Sequence, residues 1–65
     1  MKIVVNGEPR EVEALHLEAV LMELGYGDGR VATALNGEFV PKPLRATTTL
    51  GDNDRLEVLA PMQGG

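Results

Sequence analysis

Apolar and polar residues along this chain alternate, change period once, and then alternate again. The run Lys2-Ile3-Val4-Val5-Asn6 is rich in β-branched residues and predicts a strand over residues 2–6. Asn6-Gly7-Glu8-Pro9 follows as a turn, and Asn-Gly between two strand-like runs is a strong hairpin signal. A return strand is expected over residues 10–14, where charged positions alternate against Val12 and Ala14. Ile3, Val5 and Val12 then share an inner face. From Leu17 the period lengthens: Leu17, Val20, Leu21 and Leu24 fall at i, i+3, i+4 and i+7, one stripe of a helix over residues 17–24. Glu18 and Glu23 lie off the stripe and should be solvated. Gly25 comes directly after it and suits the C′ position. His16 takes the N-cap slot that Ser, Thr or Asp would fill better, and it reads as a surface or weak capping residue.

Residues 26–30 form a glycine-rich connection. It follows a helix and lacks the Lys-Ser/Thr ending of a phosphate loop, so it joins helix to strand. Residues 31–35 make a third strand, Asn36-Gly37 a second hairpin turn, and residues 38–40 a short fourth strand ended by Pro41. Residues 41–45 predict a turn with one helical twist. Thr47, Thr48 and Thr49 should be extended, with Leu50 as an anchor, and Gly51-Asp52-Asn53-Asp54 a tight turn. Its carboxylates do not follow the spacing of a calcium loop. The closing strand, residues 55–60, sets Leu56 and Val58 on one side and Glu57 and Leu59 on the other.

Strand, strand, helix, strand, short strand, turn and strand define a two-layer α+β domain. For so few residues the β-grasp is the most economical closure. It is a mixed, four- to five-stranded sheet packed on one helix, with the first and last strands parallel at its centre. Residues 1–60 form that domain and residues 61–65 a flexible tail.

Composition narrows the chemistry. With 65 residues there is room for one domain, and its core must be aliphatic, since Tyr26 and Phe39 are the only aromatics. There is no Cys and a single His, which excludes thiol chemistry and a zinc site within the chain and leaves little for an enzyme's active centre. A formal charge of -4 disfavours nucleic acid and suits a partner with a basic docking face. No apolar run reaches the length of a membrane span and no signal peptide is visible, so a cytoplasmic location is expected.

Pro61-Met62-Gln63-Gly64-Gly65 follows the closing strand. Pro61 cannot donate to a ladder and should end it. Fully extended, the five residues reach roughly 16–18 Å. Gly64 and Gly65 have no side chains and hold little structure of their own. The bland alternative is an ordinary frayed terminus.

Several stretches carry a family resemblance. They are Met1-Lys2-Ile3-Val4-Val5-Asn6-Gly7, the helix end Leu21-Met22-Glu23-Leu24-Gly25, the run from Val31 to Pro41 containing Ala34-Leu35-Asn36-Gly37, and Gln63-Gly64-Gly65. Together they resemble the ubiquitin-like sulfur carriers, and among these the ThiS family of the thiamine pathway, along the whole chain. His16, where relatives tend to have Thr, and Asn53, within the turn before the last strand, depart from the pattern.

The resemblance implies a protein that is modified and does not itself catalyse. An E1-like adenylyltransferase of the ThiF type would bind the domain, with ATP and Mg²⁺ held by that partner. Met62, Gln63 and Gly64 would thread its channel. The Gly65 carboxylate would be adenylated, then converted to a thiocarboxylate by a persulfide protein. Thiazole synthase of the ThiG type would take the sulfur. Leu59, Glu57 and Val4, on the outer face of the sheet, are the expected docking face. The alternatives are sulfur transfer to tRNA or molybdopterin, a ubiquitin-like modifier joined to lysines, and a plain interaction module.

Overall fold

The computed structural model describes residues 1–27 and 30–61. Its elements, in chain order, are strands β1 (Lys2–Val5) and β2 (Glu8–Glu11), helix α1 (Leu17–Glu23), strands β3 (Ala32–Leu35) and β4 (Glu38–Val40), a 3-10 helix (Lys42–Thr47) and strand β5 (Arg55–Leu59). They form a five-stranded sheet in the order β2-β1-β5-β3-β4. β1 and β5 run parallel at its middle, and the other neighbours are antiparallel.

The first hairpin closes in two residues. Asn6 and Gly7 both have positive φ, 49° and 85°, as the tight turn with the right twist demands. The return strand therefore starts at Glu8, two residues earlier than the sequence predicts, and Pro9 lies inside it. Pro9 is tolerated because β2 is an edge strand. Met1 and Val12 exchange both main-chain bonds, so Pro9, opposite Val4, falls at a position that needs no N–H toward β1. The strand also ends earlier than expected. Past Val12 the amides of Glu13 and Ala14 are taken by the Glu23 carboxylate of the helix instead of a ladder.

Helix α1 buries Leu17, Val20 and Leu21 against Ile3, Val5, Val12, Leu50, Leu56 and Val58. Each such side chain contributes about 1.5–3 kcal/mol when fully buried. Leu24 is the C-cap and Gly25, at φ 93°, is C′. The Gly25 N–H reaches the Met22 carbonyl at 3.1 Å, and the Tyr26 N–H reaches that of Leu21 at 2.9 Å, a Schellman ending. At the other end His16 is extended and gives no side-chain cap. The segment is tied instead by a bridge between His16 and Thr49 and by the Leu17 N–H on the Thr48 carbonyl at 2.8 Å.

Two expectations need correction. Thr47 belongs to the 3-10 helix, where its hydroxyl bonds the Leu44 carbonyl, whereas Thr48, the C-cap, is extended as expected and Thr49 pairs with His16 in a bridge. Local side-chain bonding has won over β-propensity at Thr47. Glu23 is exposed as expected, yet it is not merely solvated. Its carboxylate accepts the Glu13 N–H at 2.8 Å and the Ala14 N–H at 2.9 Å, which holds its pKa below the ordinary glutamate value, the Ala14 bond first and the Glu13 bond second.

Candidate functional site: the exit of the last strand

β5 carries the chain to the edge of the described structure, and each of its ends is held by an asparagine from a hairpin turn. At the start, the Asn36 N–H bonds the Arg55 carbonyl at 2.8 Å while its side-chain oxygen accepts the Arg55 N–H at 2.9 Å. Farther along, β1 turns away at Asn6, and the Asn6 side chain continues the ladder. Its amide donates to the Val58 carbonyl at 3.1 Å and its oxygen accepts the Val58 N–H at 2.9 Å. On the other side the last registered pair is Leu59 with Ala32, where β3 begins. Past Leu59 neither neighbouring strand continues, and Ala60 and Pro61 are exposed. Met62, Gln63, Gly64 and Gly65, named above for threading and modification, lie outside the described residues.

The core beneath this exit contains a polar thread. Thr33, 1% exposed, donates to the Val40 carbonyl at 2.8 Å and accepts from Arg45 Nε at 3.2 Å. Arg45, itself 4% exposed, also donates to the Val31 carbonyl. The 3-10 helix is thereby fastened to β3 beside the point where β5 ends. Sequence reading gave Arg45 no role. Its signal was faint, an Arg inside a Pro-flanked helical twist, with Thr at an inward strand position.

The outer face of the sheet brings some of the expected docking residues together. Leu59 is 74% exposed and shares a depression of about 350 Å³ with Glu57, Ala34 and Phe39. Phe39, 69% exposed, stands opposite Ala34, which in turn stands opposite Glu57. Val4 is on the same face, but it pairs with Arg55 at the far end of β5 and lines a separate hollow with Arg55 and Glu57. Phe39 was the residue missed. Its alternation with buried Val40 was legible, but its place beside Leu59 needed the strand order.

At the exit itself a second groove, about 670 Å³, is lined by Leu59, Ala60 and Pro61 together with Arg30, Lys42 and Arg45. Among the described residues no cluster of His, Asp and Glu could hold a metal ion, and no helix is long and apolar enough to cross a membrane.

A helix laid over a mixed sheet, with parallel first and last strands and the last strand leading outward, defines a ubiquitin-like β-grasp protein. Comparison with known sequences narrows this class. The model of the ThiS family matches residues 3–65, and the chain belongs to that family. It is 45% identical to the sulfur carrier protein ThiS of Thermus thermophilus, over 94% of this chain and 95% of that one. It is 44% identical to a thiazole synthase of Paramagnetospirillum magneticum over its whole length, yet spans only 20% of that relative. Among solved structures, the thiamine biosynthesis protein ThiS of Geobacter metallireducens superposes with a TM-score of 0.83 at 33% identity, covering all of both chains.

Proposed function

We propose that this chain is a sulfur carrier that delivers sulfur from a C-terminal thiocarboxylate to the thiazole of thiamine. The observation that carries the reading is the exit of β5, clamped through Val58 and Leu59 at the point where both neighbouring strands end, in a chain whose family match runs through Gly64 and Gly65.

The chemistry follows from a carboxylate's weakness as an acylating group. The Gly65 carboxylate attacks the α-phosphorus of ATP in a ThiF-type adenylyltransferase, and pyrophosphate leaves. Mg²⁺ and ATP are that partner's ligands. A protein persulfide then attacks the acyl carbon and expels AMP, giving an acyl disulfide. A thiol cleaves the sulfur–sulfur bond, is itself oxidised to the mixed disulfide, and leaves the thiocarboxylate. The carrier's part is to present a bare end. With no Cys anywhere in the chain, the activated carbonyl has no thiol of its own to capture it.

Thiazole synthase is the proposed recipient. The likeness of this chain to one-fifth of a thiazole synthase supports that choice over tRNA thiolation or molybdopterin synthesis. The sheet's outer face, with Leu59, Glu57 and Val4 joined by Phe39, is the proposed docking surface. The test is the intact mass of the chain after incubation with the ThiF-type partner, ATP, Mg²⁺ and a sulfur donor. A rise equal to the difference between sulfur and oxygen supports the reading. An unchanged mass overturns it.

A further inference from the structure

We propose that Asn6 is a positioning residue for the adenylation of Gly65, because by holding Val58 it fixes the root of the reacting tail, an inference that rests on the carrier reading. The parallel ladder between β1 and β5 uses alternate residues of β5. The Val4 N–H takes the Asp54 carbonyl and the Asn6 N–H takes the Leu56 carbonyl, both at 2.9 Å. Val58 is next in that alternation, but β1 ends at Val5 and the chain turns at Asn6 and Gly7. The Asn6 carboxamide fills the gap, accepting the Val58 N–H and donating to the Val58 carbonyl. On the other side Leu59 pairs with Ala32, the first residue of β3. β5 is therefore gripped from both sides, at consecutive residues, where it leaves the sheet. Asn36, the matching residue of the second hairpin turn, bonds Arg55 at the opposite end of the strand.

That grip sets how much chain the partner must order. With Val58 and Leu59 held, residues 60–65 remain, and extended they reach about 20–22 Å. Each further residue freed at the root must be ordered again when the carboxylate is brought to the nucleotide, which costs about tenfold in rate. The attack takes place within the docked complex, so the cost falls on the first-order rate there. Asn6 also borders the depression that holds Leu59 and Phe39. Were it a docking contact instead, its loss would raise KM for the carrier and leave kcat alone.

The test follows adenylation of the full chain by the cognate ThiF-type adenylyltransferase, read as carrier-dependent ATP–pyrophosphate exchange, for wild type, Asn6→Gly, Asn6→Asp and Glu23→Gln. Asn6→Gly suits the positive φ of the turn and loses both bonds to Val58. Asn6→Asp also tolerates that φ, keeps an acceptor for the Val58 N–H, and sets a carboxylate oxygen against the Val58 carbonyl. Glu23→Gln weakens a tie between the helix and the segment after β2, away from the exit, and controls for a loss of stability. Far-UV circular dichroism checks that each variant is folded. Asn6→Gly is expected to lower kcat about tenfold and Asn6→Asp severalfold, with KM for the carrier unchanged within about twofold. Glu23→Gln is expected to leave both constants within about twofold of wild type. Wild-type kcat in the folded Asn6 variants overturns the positioning role. So does a loss confined to KM, or an equal fall of kcat in Glu23→Gln. A wild-type chain that is not adenylated at all overturns the carrier reading and the positioning role together. An adenylated wild type with no fall of kcat in either Asn6 variant overturns the positioning role alone.

Discussion

The side chain of Asn6 bonds both main-chain groups of Val58, donating to its carbonyl at 3.1 Å and accepting its N–H at 2.9 Å. The residues are 52 apart in sequence, and the pair stands in for one more rung of the parallel ladder after β1 has turned away. The same Asn6 has φ 49°, as its hairpin requires. One residue thus turns the first hairpin and fixes the strand that leads to the tail.

Replacing Asn6 separates these two roles. Asn6→Ala loses both bonds and also the short polar side chain that lets Asn tolerate positive φ, and it should cost about 2–4 kcal/mol in urea unfolding. Asn6→Gly loses the same bonds but relaxes the turn, and it should cost about 1 kcal/mol less than the Ala variant. Equal losses would show that the turn geometry contributes nothing. Amide exchange at Val58 should quicken in both.

The thread from Arg45 through Thr33 to Val40 predicts a coupled pair. Thr33→Val keeps shape but leaves the Val40 carbonyl and Arg45 Nε without that partner, at a cost of about 1–3 kcal/mol. Arg45→Met removes the cation as well as its bonds. The double variant should lose less than the sum of the two single losses, because the second change no longer strands a buried group. Strict additivity in a double-mutant cycle would sink the idea of a shared network.

Acid should loosen the tie between α1 and the segment after β2. The Glu23 carboxylate is held below its ordinary pKa by the Ala14 and Glu13 amides. Its contribution to stability is therefore complete above the pKa of an unfolded glutamate and is lost as pH falls through the lower, folded value. Glu23→Gln should be less stable than wild type at neutral pH, and the gap should narrow as the solution is acidified through that window. A gap independent of pH in paired denaturation curves would refute this account.

The exposed sheet face should separate binding from stability. Phe39→Ser and Leu59→Ser lie outside the core, so each should change unfolding free energy by no more than about 0.5 kcal/mol. Both should weaken association with the adenylating partner, measured by calorimetry. Val4→Ser, at the far end of the same face and half-buried, should affect binding less. Unaltered binding by all three would remove this face as a docking surface.

Most of the architecture was legible in the chain because it is locally encoded. Two Asn-Gly turns, a single stretch of helical period closed by Gly25, and strict alternation in β5 each act over a few neighbours. The family pattern added the use of Gly64 and Gly65 as an expectation. What the chain could not disclose were pairings between distant segments. The Asn6 amide on Val58, the Glu23 carboxylate on the Glu13 and Ala14 amides, buried Arg45 against Thr33, and Phe39 next to Leu59 all depend on strand order and on where the helix lies. Hydrophobic period records which side of an element is buried. It holds no record of which polar group stands across from it, because that partner is chosen only when the layers meet.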